Sequence, residues 1–438
     1  MFHYKTLDEV KEQAQKLGVQ LPFAENTGAL CQPLTLPGHT LPNRMAIHPM
    51  EGCDGTPDGK PDRQTLLRYD RFARSGAGLI WLEAVAVCPE GRANPRQLWI
   101  NEQNLDVMKS LVDRIRELSV QEHGFAPLLI MQATHSGRYS KPQGTPAPII
   151  AYNNPLFEKD SPLPKERIIT DDRLKSLEEE FGRAAALAEQ AGFDGVDIKC
   201  CHRYLNSELL SAYTRPGAYG GSFENRTRLL RNSIASAKAA TGQSFLVTSR
   251  LNIYDGFPYP YGFGVSEGQG LTPCMEEPIR LVKLLHQELG LSLLNITIGN
   301  PYVNPHVNRP ADGLPYESEE DPLTGVARML SCTQAVQQAC PDLAIIGSGL
   351  SYLRQYAPLL AAGGIQEGYF TLAGFGRQSF AYPEIYSDIL SGREISPKKT
   401  CISCGKCSEL MRAGQITGCV IRDPYYTRLY QETVAKKN

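Results

Sequence analysis

Eight short runs of apolar residues, most of them rich in β-branched side chains, are each followed by a stretch of helical spacing, and they constrain this 438-residue chain more than any other feature. The runs are RMAIHPM (44–50), GLIWLEAVAV (78–87), APLLIMQ (126–132), DGVDIK (194–199), FLVTSRL (245–251), LSLLNITI (291–298), LAIIGSG (343–349) and GYFTLAG (368–374). Near-continuous apolar runs of this length mark strands buried on both faces, as in a parallel sheet covered by helices. The segment DDRLKSLEEEFGRAAALAEQAG (171–192) puts Leu174, Leu177, Phe181, Ala184, Ala185 and Ala188 on one helical stripe, with Asp171 or Asp172 to cap its start and Gly192 to close it. EEPIRLVKLLHQELG (276–290) is a second such helix ended by glycine. Eight strands alternating with helices predict an α/β fold, a closed (β/α)8 TIM barrel rather than an open doubly wound sheet. No GxGxxG follows a strand, so a Rossmann dinucleotide domain is not encoded.

A barrel needs roughly 250 residues. The surplus is expected in an N-terminal lead-in of about forty residues, in long loops after the third, sixth and seventh strands, and in the tail. This divides the chain into a barrel, residues 1–390, and a C-terminal extension, residues 391–438.

Charge argues for small-molecule chemistry. The 45 Lys and Arg residues are interspersed with 47 Asp and Glu, for a net charge of −2, so nothing favours nucleic acid or an anionic membrane surface. No run of 18 apolar residues is present to cross a membrane. The opening MFHYKTLDEVKEQAQKLG is charged from its fifth residue and lacks the apolar core of a secretory signal, so a cytoplasmic location is expected. Thiols stay reduced there, and a dense cysteine cluster points to metal before disulfide. CISCGKCSELMRAGQITGC (401–419) holds four of the twelve cysteines: Cys401, Cys404, Cys407 and Cys419. Three thiolates from one tight loop and a distant fourth suit the corner irons of a [4Fe–4S] cluster. Zinc sites more often read as two separated CxxC pairs, and on spacing alone zinc remains the alternative.

A barrel concentrates its chemistry at the C-terminal ends of its strands. Those ends carry Pro49, Met50 and Glu51; Glu83 and Ala84; Gln132 and His135; Lys199, His202 and Tyr204; Arg250; Asn295 and Thr297; Gly347, Ser348 and Gly349; and Gly374, Gly376 and Arg377. The GSG and AGFGR segments after the last two strands offer backbone N–H groups beside an arginine, where barrels bind phosphate.

The strings QATHSGRYSKP, GFDGVDIKCCHRYLNSELLS, YGGSFENRTRLL, GSG and AGFGR occur in this order across residues 35 to 385. Together they resemble the Old Yellow Enzyme family of FMN-dependent barrels. The cysteine-rich tail resembles the iron–sulfur branch of that family, which holds 2,4-dienoyl-CoA reductase, 2-enoate reductase and trimethylamine dehydrogenase. The resemblance implies that Pro49, Met50 and Ala84 lie along the flavin ring, that Gln132 binds its pyrimidine, and that Arg250 sits by flavin N1 to offset negative charge. It further implies that Gly349, Gly376 and Arg377 hold the FMN phosphate, with Gly347, Ser348 and Gly374 of the same loops among the cofactor-binding residues, and that the four tail cysteines ligate a [4Fe–4S] cluster.

The family often has His-x-x-His or His-x-x-Asn, then a tyrosine two residues on, to bind a substrate carbonyl and deliver a proton. This chain has Lys199, His202 and Tyr204 instead, a departure at the first position. Cys200 and Cys201 between them are expected to pack rather than react, and Glu224 and Arg226 of YGGSFENR to form an ion pair fixing a loop. The loop GNPYVNPHVNRP, with Tyr302, His306 and Arg309, is expected to lie over the flavin.

The expected activity is reduction of an activated C=C bond in a small unsaturated carbonyl compound. Hydride would come from flavin N5, Lys199 and His202 would polarise the carbonyl, and Tyr204 would protonate the α-carbon. Larger relatives continue into nucleotide-binding domains after the cluster, so electrons are expected here from NAD(P)H or a separate electron-transfer protein. Homo-oligomerisation is left open. Two alternatives compete. An amine dehydrogenase of the trimethylamine type is disfavoured, because such enzymes attach flavin through a cysteine where this chain has Glu51 and lack the lysine at position 199. A non-redox barrel with structural zinc is the other.

Overall fold

The structure is a computed structural model that describes residues 2–311 and 318–437. An antiparallel hairpin, β1 (Leu34–Leu36) and β2 (His39–Leu41), precedes eight parallel strands: β3 (Met45–Ile47), β4 (Leu79–Ala86), β5 (Leu128–Thr134), β6 (Gly195–Ile198), β7 (Leu246–Asn252), β8 (Leu293–Thr297), β9 (Ala344–Gly347) and β10 (Leu372–Phe375). They pair in chain order, and β10 closes on β3 with Ala373 opposite Met45, which makes the predicted (β/α)8 barrel.

Strand alternation sorts the side chains into two cores. Leu79, Trp81, Leu128, Ile130, Leu246, Leu293 and Ile346 fill the barrel interior, which Leu36 and Leu41 of the hairpin close at its N-terminal end. The intervening Ile80, Leu82, Leu129, Met131, Leu294 and Ile345 pack outward in a second core shared with the helices. Burial on both sides explains why each strand reads as an unbroken apolar run.

The Asp171–Gln190 helix is capped by Thr170, whose side chain accepts from the Arg173 N–H at 3.2 Å, and not by Asp171 or Asp172. Asp171 is taken up by Arg215 at 2.6 Å and by the Ala218 N–H at 2.7 Å. Gly192 lies in the left-handed region at φ 89°, where a side chain would be strained. The second helix is regular over Glu276–Lys283 and then widens into a π-helical turn, Leu284–Glu288.

Two expectations are corrected. Glu224 and Arg226 do not pair with each other: two residues apart on the one-turn Phe223–Arg226 helix, they cannot face each other. Arg226 instead binds Glu277 at 2.6 Å and Glu224 binds Arg280 at 2.5 Å, so both clamp the loop to the Glu276–Lys283 helix. The long connections follow β5, β6, β7 and β8, whereas β9 runs almost at once into the 3-10 helix Leu350–Tyr356. The β7 loop, residues 253–275, is rich in glycine and proline, a signal present in the sequence.

Beyond residue 390 the tail builds a small core of Leu410, Ile416, Val420 and Tyr426 and lies across the C-terminal end of the barrel. Several bonds fasten it, among them three short ones. The Thr417 N–H donates to Gly52 O at 2.7 Å, the Cys401 N–H donates to Gln378 Oε1 at 3.0 Å, and Arg71 pairs with Asp423 at 2.5 Å.

Candidate active site

A cavity opens at the C-terminal end of the strands, between barrel and tail. Pro49, Met50, Glu51, Ala84, Gln132, Lys199, His202, Tyr204, Arg250, Ser348, Gly349, Gly376 and Arg377 line it, with Tyr302 and Arg309 from the β8 loop and Cys401, Cys407 and Met411 from the tail. Of the residues expected to bind the flavin or act on its substrate, Gly347 and Gly374 do not line it. Both are strand residues whose missing side chains make room for neighbours: a Cβ would come within 2.3 Å of the Phe370 ring at Gly347 and 2.1 Å of the His48 ring at Gly374. His306 is buried behind the loop, 3.9 Å from Glu320, and does not line the cavity either.

A polar layer inside the barrel forms the floor. Asp197 of β6 accepts from Gln132 Nε2 at 2.6 Å, from Trp81 Nε1 at 2.8 Å and from the Arg250 backbone N–H at 2.6 Å. Because Asp197 takes the amide nitrogen, Gln132 has its carbonyl oxygen left to offer as an acceptor. Burial raises the Asp197 carboxyl to about 6, against these three donors. Beside it His48 bridges Asn295 at 3.1 Å and Ser348 at 3.0 Å, and burial holds its imidazole well below the ordinary value. Neither Asp197 nor His48 was singled out in the sequence; both read there as interior positions of apolar runs.

A bulge in β4 re-aims its end. The register with β5 shifts between Trp81 and Ala84, which turns Ala84 to the cavity. Glu83 goes instead to Arg68, 2.7 Å away, and Arg68 also binds Asp54 at 2.7 Å. Burial raises Glu83 to about 7, with Arg68 acting in the opposite sense. Since the Gly52 N–H donates to Glu83 at 2.9 Å, this cluster anchors the segment that carries Pro49, Met50 and Glu51. Arg68→Met should therefore lower unfolding stability by about 3–5 kcal/mol, because it strands two buried carboxylates. A urea midpoint indistinguishable from wild type would count against this anchor.

Lys199, His202 and Tyr204 share one tight turn after β6. His202 and Arg203 both adopt left-handed backbone, φ 61° and 59°, costly for non-glycine residues and held only where surroundings over-determine it. Arg203 does so: fully buried, it binds Asp255 at 3.0 Å, Tyr152 Oη at 3.0 Å and Tyr261 O at 2.9 Å. Its role had no sequence signal beyond a charge next to the motif. Cys200 and Cys201 are fully buried, with thiols raised by burial, as expected of packing residues.

The turn presents three different groups. Lys199 Nζ lies 3.5 Å from the centroid of the Tyr204 ring, and burial lowers its amine below the ordinary value while Cys201 and Glu51 oppose this. Burial, then Arg250 and Lys199, keep His202 well below its usual value and so neutral. Tyr204 Oη is 3.4 Å from Glu51 Oε2 and 3.1 Å from Tyr302 Oη, and Tyr302 stacks on Tyr139 at 4.1 Å.

Buried polar atoms without a protein partner test whether the cavity fits a cofactor. Glu51 Oε1, His202 Nε2, Arg250 Nε and two nitrogens of Arg309 are such atoms, and all four residues line the cavity. Buried groups of this kind are rare unless something polar completes them. A flavin with a polar substrate would do so.

The tail cysteines meet a parallel test. All four line a second, smaller cavity that shares Arg377, Phe380, Cys401, Ser403 and Cys407 with the first. Burial, then Cys407, pushes the Cys401 thiol up to about 12, and burial raises Cys419 with Cys407 and Cys404 adding to it. Among the described residues no three of these thiols lie within 4.8 Å of one another. The Ser403 N–H already donates to Cys401 Sγ at 3.4 Å, the kind of bond that tunes cluster sulfurs.

Barrel, floor and cavity define a TIM-barrel protein with its site at the C-terminal ends of the strands. The model of the NADH:flavin oxidoreductase / NADH oxidase family matches residues 29–280, and the chain belongs to that family, as an FMN-dependent enzyme of the Old Yellow Enzyme kind. It is 32% identical over 278 residues to an NADPH dehydrogenase of Geobacillus sp. (strain WCH70), covering 62% of this chain and 73% of the relative. Among solved structures it resembles a 2-naphthoyl-CoA reductase in complex with 2-naphthoyl-CoA, with a TM-score of 0.73 and 20% identity over 92% of this chain and 58% of that one. It also resembles histamine dehydrogenase from Rhizobium sp. 4-9, with a TM-score of 0.70 and 18% identity over 92% and 53%. At such identities these two likenesses show the fold alone, and the chain spans little more than half the length of either structure.

Proposed function

We propose that this chain reduces an activated carbon–carbon double bond in a small unsaturated carbonyl compound: an enoate, an enone or a dienoyl group. The observation that carries this reading is the single turn after β6, which brings an ammonium, a neutral imidazole and a protonated phenol into one cavity. FMN, when bound, supplies hydride from N5 to the β-carbon. The chain's residues do the rest. Pro49, Met50 and Ala84 flank the ring, Gln132 receives the pyrimidine N–H, and Arg250 offsets negative charge beside N1. Ser348, Gly349, Gly376 and Arg377 hold the phosphate. Lys199 and His202 donate to the substrate oxygen, and Tyr204 protonates the α-carbon.

A [4Fe–4S] cluster on Cys401, Cys404, Cys407 and Cys419 supplies single-electron transfers. The residues shared by the two cavities would keep it in contact with the flavin site. NAD(P)H or a separate electron-transfer protein provides the electrons, and relatives named NADPH dehydrogenase favour the former. No helix among the described residues is long and apolar enough to cross a membrane. The amine-dehydrogenase reading is weaker, because Lys199 and Arg250 would repel a cationic amine inside the cavity.

The test is anaerobic reduction followed by reoxidation with a panel of unsaturated acids, ketones and thioesters. Flavin reoxidation with formation of the saturated product is expected; reoxidation by amine-derived imines alone would favour the alternative. FMN is expected to be noncovalent, since Glu51 follows Met50 where a cysteine would be needed. Acid precipitation should leave the yellow colour in the supernatant, and colour retained in the pellet would contradict this.

A further inference from the structure

We propose that Glu51 returns to Tyr204 the proton that the phenol gives to the substrate. The inference rests on the alkene reduction proposed above. Tyr204 is 1% exposed, and among the described residues its hydroxyl has two hydrogen-bond neighbours, Glu51 Oε2 and Tyr302 Oη. Once it has given up its proton, Tyr204 has these two groups in place to recharge it. Tyr302 is another phenol, raised by burial, and is no net source of protons near neutral pH. Glu51 is a carboxylic acid, the one neighbour of suitable strength.

Its placement fits a shuttle. One oxygen meets Tyr204, while the other is buried, unpartnered and part of a residue that lines the cavity, from which water can reprotonate it. The 3.4 Å separation is long, as such contacts often are before substrate binds. Lys199, against the Tyr204 ring, favours the transient phenolate. In the step itself the Glu51 O–H bond breaks, the Tyr204 O–H bond forms, and a carboxylate remains until it takes a proton from solvent. No electrons move.

The charged and titratable groups facing Glu51 are Lys199, Tyr204 and Arg68, with Cys53 and Tyr302 also in its field. Burial raises the carboxyl and the first three act to lower it. The relay works with Glu51 protonated, so it is lost as pH rises through the carboxyl's apparent pKa.

Glu51→Gln in FMN-loaded protein tests this, with three readouts. Wild-type multiple-turnover reduction of an enone should slow as pH rises and show a curved proton inventory in mixed H2O and D2O. Glu51→Gln should be slower by about tenfold or more, lose that pH limb and give a linear inventory, while Glu51→Asp restores the limb. Infrared titration should show a protonated-carboxyl band in wild type that Glu51→Gln lacks. An unchanged pH limb and inventory, or an unchanged band, overturns the relay alone. Failure of the wild type to reduce any activated alkene would overturn the proposed function and the relay with it. If Glu51→Gln does not hold FMN, Glu51→Asp carries the test, because a shifted carboxyl must shift the limb and an unmoved limb overturns the relay.

Discussion

Tyr204→Phe is expected to slow reoxidation of the reduced enzyme by an enone by about 10²-fold or more and to leave flavin reduction near normal. The change removes a single oxygen from a fully buried side chain and keeps the ring against which Lys199 packs. Fold and cation placement should survive, and only the proton donor is lost. Burial, reinforced by Glu51 and Tyr302, raises the phenol well above its ordinary value, so it carries its proton across the working pH range. Tyr302, whose hydroxyl lies 3.1 Å away, is the natural source of any residual rate, and Tyr204→Phe with Tyr302→Phe should remove most of it. Rapid-mixing absorbance of the two half-reactions decides the matter. Equal slowing of both would take Tyr204 out of the donor role.

Cys404→Ala should abolish iron and inorganic sulfide while FMN stays bound. The flavin's proposed contacts, Gln132, Arg250 and the Gly349 and Gly376 loops, belong to the barrel and are untouched. The tail has fastenings besides the cysteines, through Thr417 and Asp423, so it should remain docked. Chemically reduced variant should then still transfer hydride to substrate, whereas turnover with a one-electron protein donor should fall to background for want of a relay. Metal analysis, flavin content and the two assays are the measurements. Zinc in place of iron in wild type, or undiminished turnover with the one-electron donor, would remove the cysteines from this role.

Much of the architecture was legible in the sequence. All eight strands lie where the apolar runs place them, because burial on both faces leaves a signal that needs no knowledge of neighbours. The glycine loops and the KCCHRY turn were legible as motifs at strand ends. The errors share one cause. Asp171 was expected to cap its helix but binds Arg215, and Arg226 was expected to bind Glu224 but binds Glu277. In each case the true partner is distant in sequence, more than forty residues away. At Gly347 and Gly374, both expected among the cofactor-binding glycines, a side chain would also meet the rings of Phe370 and His48, which no local motif announces.

By itself, then, the sequence determined the barrel, the face on which its chemistry sits and the types of group available there. Periodicity and local spacing carry that information, and both are set by backbone geometry within a few residues. Only the tertiary structure decided which of those groups meet. Asp197 orients Gln132, Arg203 holds a strained turn that presents His202, Glu51 touches Tyr204, and the tail lays Cys401 and Cys407 along the cavity at the strand ends. These contacts join residues between 51 and about 350 positions apart, and a buried charge or proton donor takes its chemistry from such neighbours as well as from its own residue type.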